Sequence, residues 1–119
     1  MTDHDLMAWL GPAADELTPE QIERVSDAAR DIDERYPDPD EQDERDAALS
    51  ATVQYLLGET TPEDANRALI DARQREREAY VAALQIAVMA HRDGVPKATA
   101  ARRAGIDRMS LLKALGEHA

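Results

Sequence analysis

The sequence predicts an all-α fold, and three observations favour it. Apolar residues recur three or four positions apart over most of the chain, and no stretch alternates apolar and polar residues as a strand would. Thr-Pro pairs at 18–19 and 61–62 are typical helix starts, with threonine as the N-cap and proline at the first helical position. Alanine dominates the 43% of hydrophobic residues and Phe is absent, a composition that suits closely packed helices.

The N-terminal segment, residues 1–17, is predicted to contain one short helix. Its apolar cluster of Leu6, Met7, Trp9 and Leu10 is broken by a Gly-Pro pair, which ends the helix. We interpret Trp9 as an anchor that packs on the rest of the chain. The alternative is an aromatic side chain that contacts a partner protein.

Two helices are predicted to follow, each with an amphipathic pattern. The first starts at Thr18 and ends near Tyr36, because prolines at 37 and 39 cannot continue it. The second spans about 41–57 and stops at Gly58. The predicted buried side of the second helix, which Val53 and Leu57 widen, consists of Ala47, Ala48, Ala51, Tyr55 and Leu56.

The fourth predicted helix is the longest, at about 61–93. Its middle, 71–78, is almost wholly charged and cannot be fully buried, so we interpret it as a connector. From Ala79 the pattern becomes apolar on more than one face. We expect this part to pack on the C-terminal helices along one side and on another element along the other.

Two short helices, about 97–104 and 107–115, are predicted to meet at Gly105. A glycine adopts the left-handed conformation of a helix end at no steric cost, and Asp107 can cap the second helix. The small apolar face of the first helix is predicted to consist of Ala98, Ala101 and Ala104. The apolar face of the second is either Met109, Leu112 and Leu115 or the pair Leu111 and Leu115. With 79–93 these helices would form a trihelical unit.

The stretch Ala-Gly-Ile-Asp-Arg-Met-Ser-Leu-Leu-Lys-Ala-Leu at 104–115 resembles a motif of bacterial helix-turn-helix DNA-binding regulators. TetR-like and resolvase-like members carry Ala-Gly-Val-Ser-Arg-x-Thr-Val-Tyr-Arg-x-Phe there, and the similarity covers residues 97–116. The core positions that the resemblance implies are Ala101, Ala104, Ile106, Leu111 and Leu115. The DNA-facing positions that it implies are Asp107, Arg108, Met109, Ser110 and Lys113. This chain departs from the pattern at Asp107, where serine is frequent, and at 114–115, where an aromatic residue often closes the core.

The charge distribution divides the chain into two parts. The net charge is −11, but residues 1–66 hold 19 acidic and 4 basic side chains, whereas residues 67–119 hold 6 and 10. Such asymmetry is more informative than the total. We therefore predict an acidic helical interaction or dimerisation region at 1–74 and a DNA-binding helix-turn-helix domain at 75–119.

The predicted function is sequence-specific binding of double-stranded DNA by a small bacterial or phage transcription regulator. Helix 107–115 would enter the major groove, while Lys97, Thr99, Arg102 and Arg103 would hold the phosphate backbone. Because one motif buries little surface, we expect a homodimer. It would form through the acidic helices or through the surplus apolar side of 79–91. The alternative is an acidic protein–protein interaction module, a DNA mimic or adaptor, in which the C-terminal motif is structural.

Other function classes find no support in the sequence. There is no Cys, and the histidines at 4, 91 and 118 are too far apart for a metal site. We interpret His91 as a surface or core-edge residue. No Gly-rich phosphate loop and no nucleophile motif occurs, so we expect neither enzymatic activity nor a cofactor. No apolar run approaches the length of a membrane span, and we expect a cytoplasmic, nucleoid-associated protein.

Overall fold

The structure is a computed structural model that describes residues 2–117. Within this range it contains six α-helices and no strand, so the predicted all-α class is confirmed. The helices are α1 Asp3–Leu10, α2 Pro19–Arg35, α3 Gln42–Leu56, α4 Pro62–Arg92, α5 Lys97–Ala104 and α6 Arg108–Ala114. Short 3-10 helices lie at Gly11–Glu16 and Pro39–Glu41.

The helix starts that the Thr-Pro pairs predicted are confirmed. At the start of α2, Thr18 Oγ1 accepts from the Gln21 backbone N–H at 3.2 Å, and the Thr18 N–H donates to Gln21 Oε1 at 2.8 Å. At the start of α4, Thr61 Oγ1 accepts from the Asp64 N–H at 3.1 Å. Each cap satisfies amide groups that the first helical turn leaves without a partner.

The chain divides into two compact units, one ending at Ala65 and the other beginning at Asn66. This packing boundary lies close to the N-terminal end of α4. The predicted division at 74/75 lies instead within the charged stretch 71–78, whereas the change from acidic to basic composition at 66/67 lies next to the packing boundary.

The first unit has its own hydrophobic core. Its buried members come from α1, α2, α3 and the segment after α1, and they are Leu6, Leu10, Leu17, Val25, Ala29, Ile32, Leu49 and Val53. Trp9 is half-buried against this core, so its interpretation as a packing anchor is confirmed. Arg45 of α3 donates to the backbone oxygens of Tyr36 and, at 2.6 Å, Asp38, and thereby holds the turn that follows α2.

The predicted buried side of α3 is wrong in part. Leu49 and Val53, one turn apart, are the buried residues of this helix, whereas Ala47, Ala51 and Tyr55 are exposed. The predicted Ala48, Leu56 and Leu57 are half-buried. The reason is that alanine buries little area and does not determine which side of a helix faces the core, whereas burial of a leucine contributes roughly 2 kcal/mol.

The second unit packs the end of α4 on α5 and α6. Its buried core consists of Ala87, Val88, Ala100, Ala101 and Leu111, with Ile106 buried beside it in the turn. His91 is half-buried at the edge, as predicted, and its Nδ1 lies 2.8 Å from the Val95 carbonyl oxygen. Because a carbonyl only accepts, Nδ1 carries the proton in this bond.

Candidate nucleic-acid interface

The turn between α5 and α6 follows from three consecutive residues. Gly105 has φ 71° and ψ 26°, the left-handed conformation that glycine adopts without steric cost. The Ile106 N–H donates to the Ala101 carbonyl at 2.8 Å and the Gly105 N–H to that of Arg102 at 3.2 Å. This pair of bonds closes the C-terminus of α5. Asp107 then caps α6, because its Oδ2 accepts from the Ser110 N–H at 3.3 Å.

Packing of the turn agrees with most of the expected core. Ala101, Ile106 and Leu111 are buried, and Leu111 has no exposed surface at all. Ala104 and Leu115 are half-buried against the same cluster. Of the two faces left open for α6, the structure therefore selects the one that contains Leu111 and Leu115.

The predicted small face of α5 needs one correction. Ala98 is exposed, and Ala100 takes its place in the core. The cause is that α5 packs on both α4 and α6, so its buried face is set by the two adjacent residues Ala100 and Ala101. The positions of alanines along one helix do not indicate that this helix contacts two others.

Four basic side chains of this region lie free on its surface. Arg102 and Arg103 come from the end of α5, and Arg108 and Lys113 from α6, and all four are exposed. Within the described residues none of them has a hydrogen-bond or ion-pair partner. These are the side chains whose charge is available to a phosphate or a base edge.

Lys97 is different, because its ammonium is already paired. Its Nζ donates to Glu117 Oε2 in an ion pair between side chains that are 33% and 43% exposed. Thr99 is half-buried in α5. Neither residue is as accessible as the four free cations, and no local sequence signal links Lys97 with a carboxylate twenty residues away.

On α6 the exposed surface is a short ridge. Met109 and Lys113 are one turn apart and exposed, on the side of the helix away from Leu111. Ser110 is half-buried. The Asp107 carboxylate is exposed but accepts the capping bond, so one of its oxygens is occupied by the protein's own backbone.

The part of the chain that the structure describes contains neither a metal site nor a membrane-spanning helix. Among residues 2–117 no three His, Asp or Glu side chains come together in a way that could hold a metal ion, and His118 lies outside this range. None of the described helices combines the length and apolar character that crossing a membrane requires.

Comparisons with family models, with characterised proteins and with solved structures find no match to this chain. The features of the chain that bear on its function are therefore the turn, the free cations and the charge distribution.

Proposed function

We propose that this protein binds double-stranded DNA through a helix-turn-helix formed by α5, the turn at Gly105 and α6. The single observation that carries the proposal is the set of four exposed, unpaired cations on α5 and α6 of a chain whose net charge is −11. In such an acidic protein, solvation alone does not explain why unpaired positive charges cluster around one tight turn. Binding of the phosphate backbone of DNA explains the cluster.

In the proposed complex α6 lies in the major groove. Lys113 and Met109 on its ridge face the base edges, where a methionine can contact a thymine methyl group and a lysine can donate to guanine. Arg108 begins the helix and is the residue best placed for a bidentate contact with guanine. Arg102 and Arg103 would contact the phosphates and fix the orientation of α6.

Asp107 and Lys97 take indirect roles in this proposal. The Asp107 carboxylate repels phosphate. It is nevertheless useful next to the groove, because it caps α6 by accepting a hydrogen bond from the Ser110 N–H. Lys97 becomes available to DNA only if its ion pair with Glu117 opens. The strongest phosphate contacts are therefore expected from the arginines and not from Lys97.

The affinity should depend on salt. Two phosphate contacts per copy, from Arg102 and Arg103, correspond to a slope of about −1.8 in log K against log [salt], or roughly a tenfold loss of affinity between about 50 and 200 mM salt. Residues 1–66, with their net charge of −15, repel the duplex and lower the affinity further. A transcription regulator of this kind would need a specific site to compensate.

The test is a gel shift of the full-length protein with a random duplex at low salt. We expect a shift that the combined Arg102→Ala, Arg103→Ala and Arg108→Ala substitutions weaken at least tenfold, about 1.4 kcal/mol. The matched control is Arg24→Ala, an exposed arginine of α2 in the first unit, which should leave the shift unchanged. Selection of bound sequences from a random library would then give the operator.

An alternative function follows from the first unit if no shift occurs. This unit is acidic, has its own core, and carries an open concavity lined by Arg24, Ala28, Ala48, Ala51, Thr52, Tyr55 and Leu56. Tyr55 is 55% exposed there. The net charge of −15 over residues 1–66 suits a basic partner protein. Absence of DNA binding at low salt by the full-length chain would favour this interaction module.

A further inference from the structure

One face of α4 carries two pairs of large apolar side chains, with two arginines between the pairs. We call this set the α4 face, and its members are Leu69, Ile70, Arg73, Arg77, Tyr80 and Val81. The two pairs are eleven residues apart, which is about three helical turns, so they lie on the same side of the helix. Their four side chains are between 45% and 64% exposed. Large apolar side chains grouped in this way on a surface mark an interaction site.

The α4 face continues the side of α4 that α5 and α6 cover. Leu84 is half-buried one turn after the face, and Ala87 and Val88, one turn further, are buried beneath α5 and α6. This cover ends before the α4 face, because every residue from 66 to 82 is exposed. Helices in proteins are stabilised mainly by packing of one apolar side, so a further element is expected along the α4 face.

Two charged side chains in the middle of α4 lack a partner. Arg73 belongs to the α4 face and Glu76 lies beside it, and neither makes a hydrogen bond or an ion pair within the described residues. Arg77 differs, because it donates to Gln74 Oε1. Successive residues of a helix are rotated by about 100°, which puts Arg73 and Glu76 on one edge of the α4 face. Arg77 and Gln74 lie on the other edge.

We propose that a second copy of this chain covers the α4 face, with the two α4 helices antiparallel and a two-fold axis at the level of Arg75. The pattern of the face is symmetric about this residue. Apolar side chains lie five and six residues to either side of it, and arginines lie two residues to either side. In an antiparallel pair Leu69 therefore contacts the partner's Tyr80, and Ile70 contacts the partner's Val81. Each apolar pair is then covered by an apolar pair of the other copy, as a self-complementary interface requires.

The same register pairs the two unpaired charges. The two-fold axis brings equal edges of the two helices together, so Arg73 and the partner's Glu76 share an edge and lie only about 1.5 Å apart along the helix direction. Symmetry repeats this ion pair. The partner's Arg77 lies level with Arg73 but on the opposite edge, where Gln74 accepts its hydrogen bond. Charge complementarity therefore selects a second copy as the occupant.

Other arrangements of two copies match less well. If one helix slides by seven residues, Ile70 lies beside the partner's Arg73. If it slides in the other direction, Leu69 is set against the partner's Val88, which α5 and α6 already cover. A parallel pair sets Arg73 beside the partner's Arg73 and Arg77 beside the partner's Arg77, so like charges repel at the centre of the contact.

The length of the contact predicts a weak dimer. Because α5 and α6 occupy the continuation of the α4 face beyond Leu84, the partner's helix has to cross α4 at an angle, and crossing angles of about −50° are the commonest. The contact is then limited to about three turns, which is less than the roughly 800 Å² per partner of a standard interface. We expect a dissociation constant on the order of 100 μM.

Sedimentation equilibrium of the full chain without DNA tests the dimer. We expect self-association that Ile70→Glu weakens at least tenfold, because it places a carboxylate against the partner's Val81. The matched control is Ala68→Glu, which adds the same charge at an exposed position on the opposite side of α4 and should leave the association unchanged. A chain that is monomeric up to about 500 μM, or equal effects of the two variants, would overturn the proposal.

Charge reversal tests whether the occupant is a second copy. Arg73→Glu and Glu76→Arg should each weaken self-association several-fold, because like charges then face each other twice across the pair. An equimolar mixture of the two variants should associate about as tightly as the unchanged chain, since each contact then joins opposite charges. Equal association of the separate variants and of their mixture would contradict a second copy and favour a different protein as the occupant.

Chemical cross-linking tests the antiparallel orientation. The chain contains no Cys, so introduced cysteines are the only thiols. The Ile70→Cys, Val81→Cys double variant should give covalent dimers with a short bifunctional maleimide, and either single variant should not. Efficient cross-linking of Ile70→Cys alone would show a parallel pair and refute the register. Circular dichroism of each variant checks that the helices form.

The dimer does not depend on the proposed function, because none of these measurements contains DNA. A dimer that shows the expected charge reversal and cross-link but shifts no duplex refutes DNA binding alone. A duplex shift by a protein that does not associate through the α4 face refutes the dimer alone.

Discussion

Replacing Leu111 by alanine should destabilise the second unit more than any other single truncation in it. Leu111 has no exposed surface, and the other residues of its cluster are three alanines and one valine. The substitution removes about three methylene equivalents, about 2.4 kcal/mol of transfer free energy at ~0.8 each. Since short neighbours cannot close the resulting cavity, a further ~1 kcal/mol is expected, which gives about 3 kcal/mol in total.

The assay uses two probes of one urea titration. Trp9 is the sole tryptophan and is half-buried on the core of the first unit, so its fluorescence reports that unit. Circular dichroism reports both units. Leu111→Ala should shift a part of the dichroism transition to lower urea and leave the fluorescence midpoint unchanged.

The control for this prediction is Leu112→Ala, which truncates a half-buried neighbour on the same helix and should cost about 1 kcal/mol or less. If the two substitutions have equal effects, the inward orientation of Leu111 is wrong. If the fluorescence midpoint moves together with the dichroism, the two units do not unfold separately.

Three further predictions address single contacts. Gly105→Ala should lower the free energy of unfolding by about 1 kcal/mol, because a φ of 71° is strained for any residue with a Cβ. Urea unfolding followed by circular dichroism measures this effect, and an unchanged midpoint would contradict the left-handed turn. Arg45→Ala should lower the fluorescence midpoint of Trp9 by an amount equivalent to about 1–2 kcal/mol, because the carbonyls of Tyr36 and Asp38 lose their donor; Arg30→Ala, an exposed arginine of the same unit, should not. Asp107→Asn should keep the cap of α6 but strengthen binding of a random duplex several-fold in a gel shift, since it removes a carboxylate next to phosphate; weaker binding would argue that this carboxylate contacts a base.

The helix boundaries could be predicted from the sequence because their signals are local. The caps at Thr18, Thr61 and Asp107 each depend on a side chain and a backbone amide three residues away. The left-handed turn at Gly105 likewise needs only its own φ and two adjacent carbonyls. A sequence window of this length contains all the participants.

Which face of a helix is buried could be predicted only where large side chains determine it. On α2 the buried residues Val25, Ala29 and Ile32 follow each other at helical spacing and include two large side chains, whereas on α3 the alanines misled, and Leu49 was missed. The same weakness explains the exchange of Ala98 for Ala100 in α5. An alanine is compatible with core and with solvent, so its environment depends on the element that reaches it.

The candidate site shows the same division. The sequence identified the basic residues of α5 and α6, but it could not tell which of them are free, because the ion pair of Lys97 with Glu117 joins residues far apart in the chain. It also indicated a surplus of apolar residues in α4 without assigning their sides.

By itself, the sequence determined the all-α class, the ends of the helices and the separation of acidic from basic segments, since each of these depends on composition or on neighbours within one helical turn. Only the tertiary structure decided that α5 and α6 cover Ala87 and Val88 of α4 and leave residues 66–82 of this helix exposed. The physical reason is that burial depends on contacts between residues distant in the chain. The type of a side chain and its neighbours in sequence do not identify the distant residues that cover it.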